Sequence, residues 1–318
     1  MKNDMMWSYL IHLSHNMWGD HTTIGPQKRF SPTLAGHLEE DTWKQVIDYL
    51  PAQGINTVLI DVGDAVQYDS HPEVSLPDAW SKDKLRAELD RIRSLGLTPL
   101  PKLNFSTGHD AWLKEYSRMV STPQYYQVCK DLIGEVAEVF DYPALFHLGM
   151  DEENERMQAR NEYCVIRQGD LWWHDAYFLF DCCEKLGIRP WVWADLVWDK
   201  EEEYLRRMPK SVLQSNWYYY KLYADKKSDG TYVCPQYEAY RILDKAGFDQ
   251  VPTSSTVSYR SNSELTMRIG REVIAPERLK GYMTTPWTCT KNDFIHDLMG
   301  DAQHFGQGKH AVYPEACK

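Results

Sequence analysis

One local pattern recurs along this chain and restricts its fold more than any other feature: a charged amphipathic stretch ends in glycine, and a short apolar run follows at once. It stands at Gly54 before Ile55–Asp61, at Gly96 before Leu97–Leu103, at Gly187 before Ile188–Ala194 and at Gly247 before Phe248–Thr253. Glycine just past a helix end takes the left-handed conformation that stops the helix, and the run behind it reads as a buried strand. These four places are therefore helix-to-strand junctions. Extending the reading predicts strands over Trp7–Leu13, Ile55–Val62, Thr98–Asn104, Leu145–Gly149, Ile188–Asp195, Val212–Asn216, Gln250–Ser254 and Gly281–Thr285. Helical periodicity is clearest over Glu39–Leu50, Lys82–Ser94, Pro123–Phe140, Asp170–Leu186, Gln236–Ala246 and Asp293–His304, and weak over Glu201–Arg207. Strands alternating with helices predict a parallel α/β fold, and eight such strands predict a (β/α)₈ TIM barrel ahead of a doubly wound open sheet. No linker-like or low-complexity stretch divides the chain, so residues 1–318 read as one catalytic barrel domain.

Composition narrows the partners. The 318 residues carry a formal net charge of -11, the wrong sign for binding nucleic acid or an anionic membrane. No window approaches the roughly 20 apolar residues of a membrane span. Seven cysteines with no CxxC spacing read as reduced thiols and point to a cytoplasmic location. Neither GxGxxG, a P-loop nor a GxSxG elbow is present, so neither a nucleotide cofactor nor a serine nucleophile is expected.

In a (β/α)₈ barrel the chemistry gathers after the C-terminal ends of the strands. The residues there are His12, His15 and Asn16; Asp61 and Asp64; Asn104 and His109; Asp151, Glu152 and Glu153; Asp195 and Trp198; Asn216, Trp217 and Tyr218; Tyr259; and Trp287. Acids among indole and phenol rings suit a sugar, whose CH faces stack on aromatics while its hydroxyls bond to polar groups. An oligosaccharide or glycoside is accordingly the expected partner. Acids that directly abut a buried strand, Asp61, Asp151 and Asp195, read as functional rather than as solvated surface. Leu171–His174 reads as helix packing. His147 with Asp151 and Glu152 also has the ligand types of a zinc or manganese site, but their spacing matches no metal motif, so no metal is expected.

The run Phe146–Glu153, FHLGMDEE, resembles the His-x-Gly-x-Asp-Glu signature of glycoside hydrolase family 20, the β-N-acetylhexosaminidases, at the end of the fourth barrel strand. Three further segments are similar in the same order: Pro101–His109 ending in Gly-His, Trp191–Asp195, and Thr285–Thr288 with its tryptophan. The resemblance covers essentially the whole barrel. It implies substrate-assisted catalysis, with Glu152 as general acid and Asp151 orienting a 2-acetamido group that attacks the anomeric carbon. It further implies that Tyr259 bonds the acetamido carbonyl while Trp193, Trp217 and Trp287 wall the pocket. Asp61, Asp64, His109 and Asp195 complete the expected substrate-binding set. The chain departs from the pattern where His15 stands for the family's arginine, where Cys289 stands for an acid, and at Met150, so a divergent member is expected, with the bond still glycosidic and the identity of the sugar left open. Two other readings stay open at this level. One is a direct two-carboxylate glycosidase using Asp195 or Asp61, and the other is a barrel that binds carbohydrate without turnover.

Overall fold

The computed structural model describes residues 5–20, 31–36, 38–161, 165–220 and 225–317. The four junction glycines all have left-handed backbones, with φ of 71° at Gly54, 77° at Gly96, 74° at Gly187 and 85° at Gly247. Each closes the element before it and releases the chain into a strand. The strands are β1 (Met6–His12), β2 (Thr57–Asp61), β3 (Thr98–Lys102), β4 (Leu145–His147), β5 (Arg189–Trp193), β6 (Leu213–Ser215), β7 (Thr253–Ser254) and β8 (Gly281–Thr284). All pair in parallel, in the order β6-β5-β4-β3-β2-β1-β8-β7. The two ends of that order are joined as well: Gln214 N–H donates to Asp249 O at 3.1 Å, Val251 N–H to Gln214 O at 2.8 Å and Thr253 N–H to Asn216 O at 2.9 Å. The sheet thus closes into a (β/α)₈ barrel.

Helices α1 (Glu40–Tyr49), α2 (Lys82–Ser94), α3 (Pro123–Val139), α4 (Glu155–Gln158), α5 (Asp170–Glu184), α6 (Glu201–Arg207), α7 (Pro235–Lys245), α8 (Asn262–Val273) and α9 (Ile295–Val312) connect the strands. Local chemistry accounts for their starts. Ser81 Oγ accepts from Lys84 N–H at 3.2 Å, and Thr122 Oγ1 accepts from Tyr125 N–H at 3.3 Å with proline next in the chain, satisfying amides that a helix leaves unpaired. Along α3 the buried residues Tyr125, Val128, Cys129, Leu132, Ile133 and Val136 follow helical spacing. Trp172 and Trp173 in α5 are buried in the same layer between helices and strands, as their helix-packing reading expects.

Alternation along each strand sorts side chains between two cores. On β1, Tyr9 and Ile11 point to the helices, whereas Leu10 points into the barrel with Leu59, Leu100, Trp191, Trp193, Leu213, Val251 and Met283. Two residues on from Leu10, Leu59 and Leu100, the same inward face carries His12, Asp61 and Lys102, paired in register across β1, β2 and β3. Lys102 pairs in turn with His147 on β4. The barrel interior therefore changes from apolar to polar at the last residues of these strands.

Candidate active site

At those ends a cavity of about 340 Å³ is lined by Met17, Trp18, His109, Asp151, Glu152, Trp193, Trp217, Tyr219, Val257 and Trp287, within the range that holds small ligands. Six of the eleven residues expected at the site meet here: Asp151, Glu152, His109, Trp193, Trp217 and Trp287.

The loop after β4 presents the two acids on an unusual backbone. Gly149, Met150 and Glu152 have φ of 74°, 70° and 56°, a region that side chains other than glycine occupy only when their surroundings hold them there. Gly149 is required by close approach as well as by φ, because a Cβ there would lie 1.9 Å from Asn104 Oδ1. Asn104 in turn fixes Asp151: its Nδ2 donates to Asp151 Oδ1 at 2.9 Å, and Ser106 Oγ donates to the same oxygen at 2.8 Å. Glu152 is held by its backbone, whose N–H donates to Asp195 Oδ2 at 2.8 Å. Its own side chain is 36% exposed, against 10% for Asp151.

His109 bridges the pair. Nε2 lies 3.5 Å from Asp151 Oδ2 and 3.4 Å from Glu152 Oε2, while Nδ1 bonds to the Trp18 carbonyl at 2.9 Å. Burial opposes charge on this ring, yet the Asp151 and Glu152 carboxylates close to Nε2 prevail and raise its pKa to about 10. The ring is an imidazolium at neutral pH, a counter-charge shared by two adjacent acids. Asp195 is buried, and that burial, with Asp151's negative charge beside it, pushes its carboxyl well above the usual carboxylate range.

The walls are aromatic. Trp217 stacks on Tyr219 with ring centroids 5.2 Å apart, Trp193 and Trp287 are 6.4 Å apart, and Trp287 Nε1 donates to Tyr219 Oη at 3.0 Å. Trp287 has a left-handed backbone too, with φ of 46°.

Five expected residues do not line the cavity. Asp61 sits beneath it, taking bonds of 2.5 Å from both His12 Nδ1 and Lys102 Nζ. Asp64 braces the loop after β1, accepting from Ser14 Oγ at 2.6 Å and Asn16 Nδ2 at 2.7 Å. His15 meets Thr33 Oγ1 at 3.2 Å and Cys289 Sγ at 3.9 Å, so two departures from the family pattern touch each other. Asp195 stands one layer behind Glu152 and Trp217, and Tyr259 lies in the loop before α8; Tyr219 is the tyrosine that faces the cavity.

Sequence reasoning passed over Tyr219 and a buried clamp. Arg167 Nη2 donates to Glu153 Oε1 at 2.6 Å and to Phe105 O at 2.7 Å. Glu153 also accepts from Thr107 N–H and Gln158 Nε2, each at 2.6 Å. One guanidinium thereby ties the loop bearing Ser106 to the loop bearing Glu152. Among the described residues no cluster of three His, Cys, Asp or Glu side chains has the geometry to hold a metal ion, and no helix is long and apolar enough to cross a membrane.

The sequence matches no protein-family profile and no curated protein. Solved structures do resemble the fold. A Flavobacterium johnsoniae chitobiase of family 20 superposes with a TM-score of 0.62 at 16% identity, covering 88% of this chain and 49% of that one. The family 20 exo-β-N-acetylglucosaminidase of Vibrio harveyi, in complex with N-acetylglucosamine, gives 0.59 at 14%, covering 98% and 58%. A structure of the pneumococcal virulence factor StrH gives 0.64 at 14%, covering 98% and 86%. The chain thus spans only about half the length of the first two. In fold, this protein is a (β/α)₈ barrel of the kind found in the family 20 β-N-acetylhexosaminidases.

Proposed function

We infer that the protein is a glycoside hydrolase acting on a terminal glycosidic bond, in which Glu152 is the general acid and Asp151 steers a 2-acetamido group of the substrate onto its own anomeric carbon. The observation that carries this reading is the contrast between the two adjacent carboxylates. Asp151 is buried and fixed through one oxygen by Asn104 and Ser106, as an orienting group must be. Glu152 keeps a solvent-reaching carboxyl at the same cavity, as a proton-transfer group must.

In the first step the acetamido carbonyl oxygen attacks the anomeric carbon while Asp151 Oδ2 accepts the acetamido N–H. Glu152 gives its proton to the departing oxygen, which leaves as the alcohol. In the second step Glu152, now a carboxylate, takes a proton from water. The hydroxide opens the cyclic intermediate and the acid is regenerated. The His109 imidazolium offsets the two negative charges. Tyr219, whose oxygen accepts from Trp287, retains a proton to donate to the acetamido carbonyl, the role that the resemblance implied for Tyr259. Trp193, Trp217 and Trp287 supply stacking faces for the sugar.

A direct mechanism needs a second ionised carboxylate at the cavity. Asp195 is held toward its neutral form, a poor nucleophile and base, and Asp61 is committed to Lys102 and His12. The test is a panel of 4-nitrophenyl glycosides with and without the 2-acetamido group. The reading expects hydrolysis confined to the acetamido sugars; comparable rates on 2-hydroxy sugars would replace it with a protein nucleophile.

A further inference from the structure

Glu152 occupies a conformation that its own covalent structure disfavours. A non-glycine residue with φ of 56° is disfavoured against the right-handed region, and it persists only where the surroundings over-determine it. The group that does so is Asp195. Its Oδ2 accepts the Glu152 N–H at 2.8 Å, across 43 residues of sequence, from the second position after β5. Its Oδ1 lies 3.4 Å from Trp217 Nε1, so the same carboxyl touches the backbone of the acid on one side and a cavity wall on the other. Asp195 is 5% exposed and does not line the cavity. Set back from the cavity, the carboxyl links the Trp217 wall to the Glu152 backbone.

Resting on the glycosidase reading above, we propose that Asp195 is a positioning residue that sets the Glu152 backbone, and with it the proton-donating carboxyl, through an acceptor oxygen alone. Charge is not required for that role. Burial and the neighbouring Asp151 push the Asp195 carboxyl toward its neutral form, and an amide keeps one acceptor oxygen for the Glu152 N–H, giving up only the longer 3.4 Å contact with Trp217 Nε1. The bond aligns Glu152 with the leaving-group oxygen, so its loss appears as a loss of general acid catalysis.

The experiment compares Asp195→Asn and Asp195→Ala with the unmutated protein on two acetamido glycosides, one with an activated dinitrophenyl leaving group and one with a poorly leaving alcohol, with thermal unfolding recorded alongside. Asp195→Asn keeps an acceptor for the Glu152 N–H and retains kcat within about fivefold on both substrates, because the positioning bond survives. Asp195→Ala misplaces Glu152 and loses about 10²-fold on the poor leaving group, the typical cost of a misplacement near 1 Å, but much less on the activated one. A loss of about 10³-fold or more in Asp195→Asn on both leaving groups, in a folded protein, overturns the proposal and makes the carboxylate itself the nucleophile or base. Full activity of Asp195→Ala on the poor leaving group overturns it in the opposite sense. Because Asp195→Asn is nearly isosteric, it decides between positioning and nucleophilic roles even if Asp195→Ala does not fold. An unmutated protein that hydrolyses neither glycoside removes the glycosidase reading and this proposal with it, an outcome distinct from an active enzyme inactivated by Asp195→Asn.

Discussion

Replacing Gly149 by alanine attacks the fold and the proposed chemistry at one atom. The new Cβ would lie 1.9 Å from Asn104 Oδ1, 2.3 Å from Asn104 Cγ and 2.9 Å from Asn104 Cα, on a backbone with φ of 74°. The side chain of Asn104 must leave, because its own Cα blocks any smaller adjustment. Its departure breaks the 2.9 Å bond to Asp151 Oδ1. A control separates the two costs. Gly187 has the same φ of 74°, but a Cβ there meets nothing within 4 Å, so Gly187→Ala reports backbone strain alone, about 1–2 kcal/mol. Gly149→Ala adds the loss of a hydrogen bond to a charged group, about 1.5–3 kcal/mol, for a total near 3–5 kcal/mol. Urea unfolding of both variants reads the difference. Activity separates them further, since an Asp151 released by about 1 Å costs on the order of 10²-fold in kcat, while Gly187→Ala leaves kcat intact. If both variants unfold at the same urea concentration and turn over equally, the Asn104–Gly149 contact does not set Asp151 and the reasoning is wrong.

Three further outcomes are expected. His109 has a folded pKa near 10 against an ordinary 6.5, so the stability it adds is complete below pH 6.5 and lost as pH rises through 10; the melting temperature of the unmutated protein should exceed that of His109→Asn most near pH 6 and converge with it above pH 10, and a gap that widens with pH would contradict the imidazolium assignment. Asp151→Asn should slow good and poor leaving groups alike, by about 10²–10³-fold, because it weakens charge stabilisation rather than leaving-group protonation; a loss confined to poor leaving groups would make Asp151 the acid. Activity should survive EDTA, and recovery only on adding zinc or manganese would reinstate a metal mechanism.

The barrel was legible because its junctions are written in residue chemistry. The Gly54, Gly96, Gly187 and Gly247 junctions all form, and the eight strands fall where the apolar runs predict, a residue or two shorter at most ends and shortest at β7, where only Thr253–Ser254 remains of Gln250–Ser254. The weak periodicity at Glu201–Arg207 proves to be α6. Helix α8 escaped because the first part of its inner face is polar, with Asn262, Ser263 and Thr266 buried ahead of Met267, Ile269 and Val273, and because Gly270 breaks the apolar pattern; that glycine makes room for the Tyr282 hydroxyl, 2.7 Å from where a Cβ would stand. At the cavity, the acids and tryptophans were legible from their place after strands. Tyr219 was within reach, since in the aromatic run Trp217–Tyr220 an extended backbone puts residues 217 and 219 on one side, where they stack. Arg167 was not. It lies in a loop with no periodicity, and its importance comes from Glu153 and Phe105, 14 and 62 residues away. The inward turn of Asp61 was hidden for a related reason, because its partner Lys102 is a lysine in a strand, a residue whose burial only the barrel register explains.

If Glu152 delivers the proton, the activity of Glu152→Gln must depend on the leaving group. Glutamine keeps the shape and removes the transferable proton. General acid catalysis contributes about 10²–10⁴-fold, so turnover of an acetamido glycoside with a poorly leaving alcohol should fall by that order, whereas a dinitrophenyl glycoside, whose departure needs little protonation, should lose far less. Equal and small losses on both substrates, in a variant whose unfolding matches that of the unmutated protein, would contradict the assignment of Glu152 and the account built on it.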